Sequence, residues 1–198
     1  GDKKLALIHN GIIENVESIR RALTEKGHIF ESETDTEVLV HLIEDIKNHE
    51  NVSLFEAVRL TLNEIVGAYA ILVIEEGNHN EMVAARKGSP LLIGVGRDEY
   101  FIASDASPIV EYTRNVVYLE DEQIARINKN HDIEIKNLKN IMQTPYIEEL
   151  KLNIETIEKE GYDYFMLKEI YEQPKSILNT MRGRINVSTG NINLGGIL

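Results

Sequence analysis

The sequence predicts a mixed α and β domain in which helices come first, strands follow, and a further helical element begins near the end. Three observations carry this. Apolar residues recur at three- and four-residue spacing over the first third, in segments opened by a hydroxyl residue with glutamate three positions on. From Gly67 the period changes to short continuous apolar runs separated by Gly, Asn, Asp and Arg. Past Pro145 it changes again, to a helical pattern around residues 165–174.

In order along the chain, residues 5–8 read as a short buried strand ending at His9-Asn10-Gly11, where Asn-Gly suits a turn that needs positive φ. A helix is expected from Ile12, with Ile13, Val16, Ile19 and Leu23 on its apolar stripe and Gly27 at its stop. Ser32-Glu33-Thr34-Asp35-Thr36-Glu37 precedes a second helix carrying Val38, Leu39, Leu42, Ile43 and Ile46, and Thr34 with Glu37 fits a capping box. Ser53 with Glu56 opens a third, carrying Ala57, Val58, Leu62 and Ile65, which Gly67 is expected to close.

Residues 68–74, 82–85, 90–95 and 100–103 then read as strands, 105–112 as a short helix, and 116–119, 123–127 and 132–135 as further strands. Because the apolar runs are continuous rather than alternating, the sheet should be covered on both faces, by helices on one side and a second sheet on the other. Residues 146–160 and 165–174 have helical character interrupted at Pro174, a domain boundary is placed near Gly161, and the tail 187–198, rich in Gly and Asn, reads as a loop. No internal repeat is evident.

Composition excludes several classes of function. A formal net charge of −12 over 198 residues, without a Lys/Arg cluster, leaves no electrostatic grip for nucleic acid. The longest apolar run, 68–74, is far short of the roughly 20 residues that span a bilayer, so a soluble protein away from the membrane is expected. There is no cysteine, which removes disulfides, thiolate metal sites and thiol nucleophiles from this chain and fits a reducing cytoplasm. The histidines at 9, 28, 41, 49, 79 and 131 show no zinc or facial-triad spacing, so no metal is assigned, and His9 reads as a packed or hydrogen-bonded structural residue. Gly94-Val95-Gly96 lacks the third glycine of a dinucleotide fingerprint and reads as a turn. Neither a Gly-x-Ser-x-Gly elbow nor a Walker loop is present.

Two places remain that could carry chemistry. At Asn10-Gly11 a side-chain amide and a glycine N–H could point two donors at a developing oxyanion, although the same dipeptide is also a common turn. Asp35, at a helix start, could bind the ammonium of an amino-acid substrate or simply assist helix initiation.

The segments His9-Asn10-Gly11-Ile12-Ile13-Glu14-Asn15 and Ser32-Glu33-Thr34-Asp35-Thr36-Glu37-Val38, at this separation, resemble the class II glutaminase domain of the glutamine:fructose-6-phosphate amidotransferase family. Gly67-Ala68-Tyr69-Ala70, Gly88-Ser89-Pro90-Leu91, Ile102-Ala103-Ser104-Asp105 and the block 166–174 extend the resemblance over nearly the whole chain, the last block being similar to that family's passage into its isomerase domain. The resemblance implies an α+β fold of the N-terminal nucleophile hydrolase type, a four-layer αββα sandwich, incomplete here. It implies a glutaminase domain over 1–160 and, over 161–198, a linker with the leading helix of a sugar isomerase domain.

It further implies that Asn10 and the Gly11 N–H form an oxyanion hole and that Asp35 holds the α-ammonium of glutamine. The family's nucleophile is an N-terminal cysteine whose α-amino group serves as base. That cysteine belongs upstream of Gly1, so this chain alone is expected neither to hydrolyse glutamine nor to make glucosamine 6-phosphate. Fructose 6-phosphate would bind beyond Leu198, no cofactor is implied, and the parent is expected to be a cytoplasmic homo-oligomer, a dimer, in hexosamine synthesis. Two alternatives stand beside this: another class II amidotransferase, of purine, asparagine or glutamate synthesis, and a non-catalytic binding module.

Overall fold

The computed structural model describes residues 4–128, 132–150, 159, 161–181, 185–186 and 191–192. It divides into two units, Gly1–Leu150 and Lys151–Leu198.

In the first unit the elements run β1 (Leu5–Ile13), α1 (Val16–Glu25), α2 (Asp35–Glu50), α3 (Leu54–Glu64), β2 (Gly67–Glu75), β3 (Glu81–Lys87), β4 (Leu92–Val95), β5 (Tyr100–Ala103), β6 (Asn115–Tyr118), β7 (Gln123–Asn128), β8 (Glu134–Asn137), β9 (Met142–Gln143) and β10 (Ile147–Glu149). One antiparallel sheet has the order β1-β2-β3-β7-β8-β9 and a second has β10-β6-β4-β5. In the second unit α4 (Phe165–Met181) is followed by the paired β11 (Ile185–Asn186) and β12 (Asn191–Ile192).

The continuous apolar runs mean what they were expected to mean. Along β2, Tyr69, Ile71 and Val73 pack against Leu39, Ile43, Phe55 and Val58 of the helices. Ala70 and Leu72 face the second sheet with Ile93, Val117 and Leu119. Each such buried large side chain contributes about 1.5–3 kcal/mol. A third cluster, Leu92, Ile109 and Val116, covers the outer face of the second sheet. The layers described are therefore helix, sheet, sheet and a cover of turns, where the four-layer expectation has helices.

Several local expectations are corrected. Asn10-Gly11 is not a turn: β1 runs through it in unbroken register with β2, from Leu5↔Glu75 to Ile13↔Gly67, and the first helix starts at Val16 rather than Ile12. The glycine is required for another reason. Gly11 has φ +145°, and a Cβ there would lie 2.1 Å from the Ala68 carbonyl oxygen, so the close approach of β2 excludes any side chain. Gly67 likewise opens β2 instead of closing α3, with a Cβ position 2.2 Å from the Ile12 carbonyl oxygen.

Residues 105–112 form successive turns, not a helix: the i→i−4 bonds from the Val110 N–H to the Ala106 carbonyl and from the Thr113 N–H to the Ile109 carbonyl are not consecutive and alternate with i→i−3 bonds. Residues 147–149 pair as a strand with β6, so tertiary pairing overrides their helical character; residues 151–158 and 160 lie outside the described residues. Helix α4 passes through Pro174, which forfeits one backbone bond while good helix formers continue on both sides. The tail expected as a loop contains β12; residues 187–190 and 193–198 lie outside the described residues. No helix among the described residues is long and apolar enough to cross a membrane.

Candidate functional site

Among the described residues β1 is the end strand of its sheet, with one edge not taken by the ladder. Two bonds fix which groups face that edge: Glu76 N–H donates to the Lys4 carbonyl at 2.7 Å and Glu14 N–H to the Val66 carbonyl at 2.8 Å. In an antiparallel pair with constant register, even-numbered residues of β1 therefore bond β2 and odd-numbered ones direct N–H and C=O outward. The N–H groups of His9, Gly11 and Ile13 all point to the open edge. Gly11 needs no exception, because the trans peptide turns its N–H away from the Asn10 carbonyl, which bonds β2.

Asp35 reaches this edge. As the first residue of α2 it sits beside the N-cap Thr34, whose hydroxyl accepts the Glu37 N–H at 3.3 Å, so capping does not occupy the aspartate. Its Oδ2 accepts the Ile13 N–H at 3.1 Å. Its Oδ1 lies 3.4 Å from His9 Nδ1, and a quarter of the side chain remains exposed. The structure thus brings Asp35 to the strand of Asn10 and Gly11, on the edge that the Gly11 N–H faces. Asn10 is exposed, and strand alternation sends its side chain to the face opposite His9.

The loop that delivers Asp35 is held by a carboxylate. Glu37 accepts the Glu31 and Ser32 N–H groups, each at 2.7 Å, and the Ser32 hydroxyl at 2.6 Å. The Glu31 N–H first and the Ser32 hydroxyl second hold its carboxyl down to about 2, against the pull of burial. Arg20 ties the same loop to α1 through the Ser32 carbonyl at 2.9 Å and the Thr34 carbonyl at 3.2 Å. Behind it His41 Nε2 lies 3.8 Å from Glu37 Oε1, and burial, with the nearby His28 charge, lowers its pKa.

Sequence reasoning placed His9 correctly as a packed, hydrogen-bonded residue and missed that it faces Asp35. It also missed Glu37 as the clamp of the 31–34 loop, although glutamate three residues past a threonine cap is a visible signal. The i,i+4 spacing of His41 with Glu37 and of His49 with Asp45 was likewise legible in the sequence and went unused. Among the described residues no group of three or more His, Asp or Glu could hold a metal ion.

Comparison with known proteins places the chain in a family. The family model described as a glutamine amidotransferase domain matches residues 1–111, more than half of the chain, and the chain belongs to that family.

Among curated relatives, the glutamine–fructose-6-phosphate aminotransferase (isomerizing) of Bacteroides thetaiotaomicron is 52% identical over 99% of this chain and 32% of its own length. The enzyme of that name from Chlorobaculum tepidum is 49% identical over 98% of the chain and 31% of its own length. The chain spans about a third of the length of these relatives. Among solved structures, the glutamine phosphoribosylpyrophosphate amidotransferase of B. subtilis, complexed with ADP and GMP, superposes with TM-score 0.59 at 30% identity, over 70% of this chain and 30% of that one. The α+β sandwich expected of a class II amidotransferase is the fold observed.

Proposed function

We propose that this chain supplies the glutamine-binding half of a glutaminase site in an enzyme that makes glucosamine 6-phosphate and glutamate from fructose 6-phosphate and glutamine. The observation that carries the reading is the Asp35 carboxylate held on the Ile13 N–H, at the edge toward which Gly11 directs its own N–H. In this reading the exposed part of Asp35 takes the α-ammonium of glutamine. The Gly11 N–H and the Asn10 amide then meet the carboxamide oxygen, whose charge grows as a nucleophile attacks the adjacent carbon. A donor of this kind typically contributes about 2.7–4 kcal/mol to such a step.

The nucleophile must come from outside the chain, which has no cysteine. The carboxamide nitrogen then leaves as ammonia, carrying a proton from the base, and water releases glutamate from the acyl intermediate. Relatives matched over 98–99% of the chain, including the block 166–174, support the sugar-phosphate enzyme over a purine enzyme, since the solved regulatory enzyme of purine biosynthesis covers 71% of it. The proposal extends to residues 161–198 as linker and leading isomerase helix, to fructose 6-phosphate bound beyond them, and to a cytoplasmic homodimer as the working form. Nucleic acid and membrane have no part in it.

The lack of cysteine favours one second reading, a non-catalytic glutamine-binding module. The first test is titration of the 198-residue chain with L-glutamine, followed by amide chemical shifts. Saturable shifts at Gly11, Ile13 and the start of α2, lost in Asp35→Asn, are expected; no shift at these positions overturns the reading. Expression together with whatever its gene encodes upstream separates enzyme from module, because only the former releases ammonia from glutamine.

A further inference from the structure

His9 is buried, with 2% of its side chain exposed, on the helix-facing side of β1. Its neighbours on that face, Leu5 and Leu7, are apolar and pack into the helix-side core. His9 Nδ1 lies 3.4 Å from Asp35 Oδ1 and 3.3 Å from Thr36 Oγ1. The Thr36 hydroxyl is in turn 3.5 Å from the same carboxylate oxygen. Oδ2 of Asp35 thus accepts the Ile13 N–H and Oδ1 accepts the Thr36 hydroxyl, while the His9 ring is hydrogen-bonded to that hydroxyl oxygen and lies beside Oδ1.

The second ring nitrogen, Nε2, is buried with no hydrogen-bond partner. This argues for one tautomer. A proton on Nδ1 is donated to the Thr36 hydroxyl oxygen, beside the Asp35 carboxylate, and leaves Nε2 as a bare acceptor. The alternative would bury an N–H without an acceptor and set a lone pair against a carboxylate, losing at both ends. An apolar residue at this position would carry no orphaned nitrogen, so packing alone does not explain a histidine here.

We infer that His9 is a positioning residue for α-ammonium recognition: its Nδ1–H holds the Thr36 hydroxyl, which donates to Asp35 Oδ1, so that the exposed part of that carboxylate meets the substrate's charge. The inference rests on the reading of Asp35 given above. It separates two neighbours on one strand, since His9 would serve the amino-acid end of the ligand and Gly11 its carboxamide end.

The test compares L-glutamine with 4-carbamoylbutanoate, the same molecule without its α-amino group, by NMR titration of the 198-residue chain and its variants. The unaltered chain should prefer glutamine by roughly tenfold or more, as a charge-assisted contact implies. In His9→Asn a side-chain N–H stands where Nδ1–H stood, and most of the preference should survive. In His9→Gln the amide reaches toward the Nε2 position instead, and the preference should fall toward unity.

Equal preference in His9→Asn and His9→Gln overturns the inference, and so does a full preference retained by Thr36→Val together with His9→Leu. A loss of thermal stability without a change in the ratio marks a purely structural histidine and overturns it as well. Asp35→Asn keeps the two readings apart. If it abolishes the preference while the His9 variants keep it, Asp35 binds the ammonium and His9 does not position it; if it leaves the preference intact, the reading of Asp35 fails and takes the inference with it.

Discussion

Replacing Gly11 by alanine tests the account of β1 most directly. The added Cβ would lie 2.1 Å from the Ala68 carbonyl oxygen, 2.8 Å from the Ala68 carbonyl carbon and 2.9 Å from Tyr69 Cα, all of them backbone atoms of β2 that no rotamer can move aside. Ordinary contact begins near 3.4 Å, so the strands must part locally by 3.4 − 2.1 = 1.3 Å. That opening breaks about two ladder hydrogen bonds at about 0.5–1.5 kcal/mol each. Holding alanine at φ +145° adds about 1–2 kcal/mol, for a total of about 2–5 kcal/mol.

Gly27 is the internal control, because it also has positive φ, +94°, but an added Cβ would meet nothing within 4 Å. Gly27→Ala should therefore cost only about 1–2 kcal/mol. Urea unfolding followed by circular dichroism reads the difference. With a slope of about 2 kcal/mol per molar, Gly11→Ala should lower the midpoint by about 1–2.5 M and Gly27→Ala by about 0.5–1 M. Equal midpoints for the two variants would refute the argument that close approach of β2, rather than backbone conformation alone, demands glycine at position 11.

Three further outcomes are expected. Glu37→Gln should destabilise the chain by about 1–3 kcal/mol at neutral pH, since an amide cannot accept from the Glu31 and Ser32 N–H groups with both its atoms. Because the folded pKa is depressed, from 4.5 to about 2, this contribution is fully present above 4.5 and is lost as pH falls toward 2, so the gap between parent and variant should close over that window in acid titrations. Asn15→Ala should cost about 1–3 kcal/mol in chemical unfolding, because Asn15 both donates to the Glu64 carbonyl at 2.9 Å and accepts the Val66 N–H at 2.8 Å. Ser53→Ala should cost about 1 kcal/mol by removing the cap that accepts the Glu56 N–H at 3.3 Å, measured by the shift in thermal midpoint.

What was legible in the sequence was whatever depends on neighbours close along the chain. The two capped helices are of this kind, since Thr34 and Ser53 act on N–H groups three residues away. Even so, the box at Thr34 was only half readable: the Glu37 carboxylate turns to Glu31 and Ser32, a choice made by the fold of the preceding loop. The Asn10-Gly11 misreading has the same origin. Locally the dipeptide suits a turn, but the atoms that demand glycine belong to Ala68 and Tyr69 on the paired strand. Likewise Ile147, Glu148 and Glu149 become a strand only because β6 offers them a ladder. For the candidate site, resemblance named Asn10, Gly11 and Asp35, while nothing local in the sequence could reveal which way each backbone group faces.

That facing depends on the phase of β1, and the phase is what the surrounding residues defend. A slip by one residue would carry His9 to the open face and Asn10 into the helix-side core, and would turn the Gly11 N–H into the sheet. Leu5 and Leu7 resist it by their burial against the helices. Gly11 and Gly67 resist it sterically, because each sits where the opposing backbone leaves no room for a side chain and each has only one register that satisfies this. An edge strand with outward N–H groups also invites pairing with another chain, and here Asp35 occupies the last of the row, the Ile13 N–H. That contact at the end of the edge sets a carboxylate beside the outward-facing Gly11 N–H. It follows that a variant at Gly11 cannot separate folding from binding, whereas Asp35 and His9, whose side chains lie off the ladder, can.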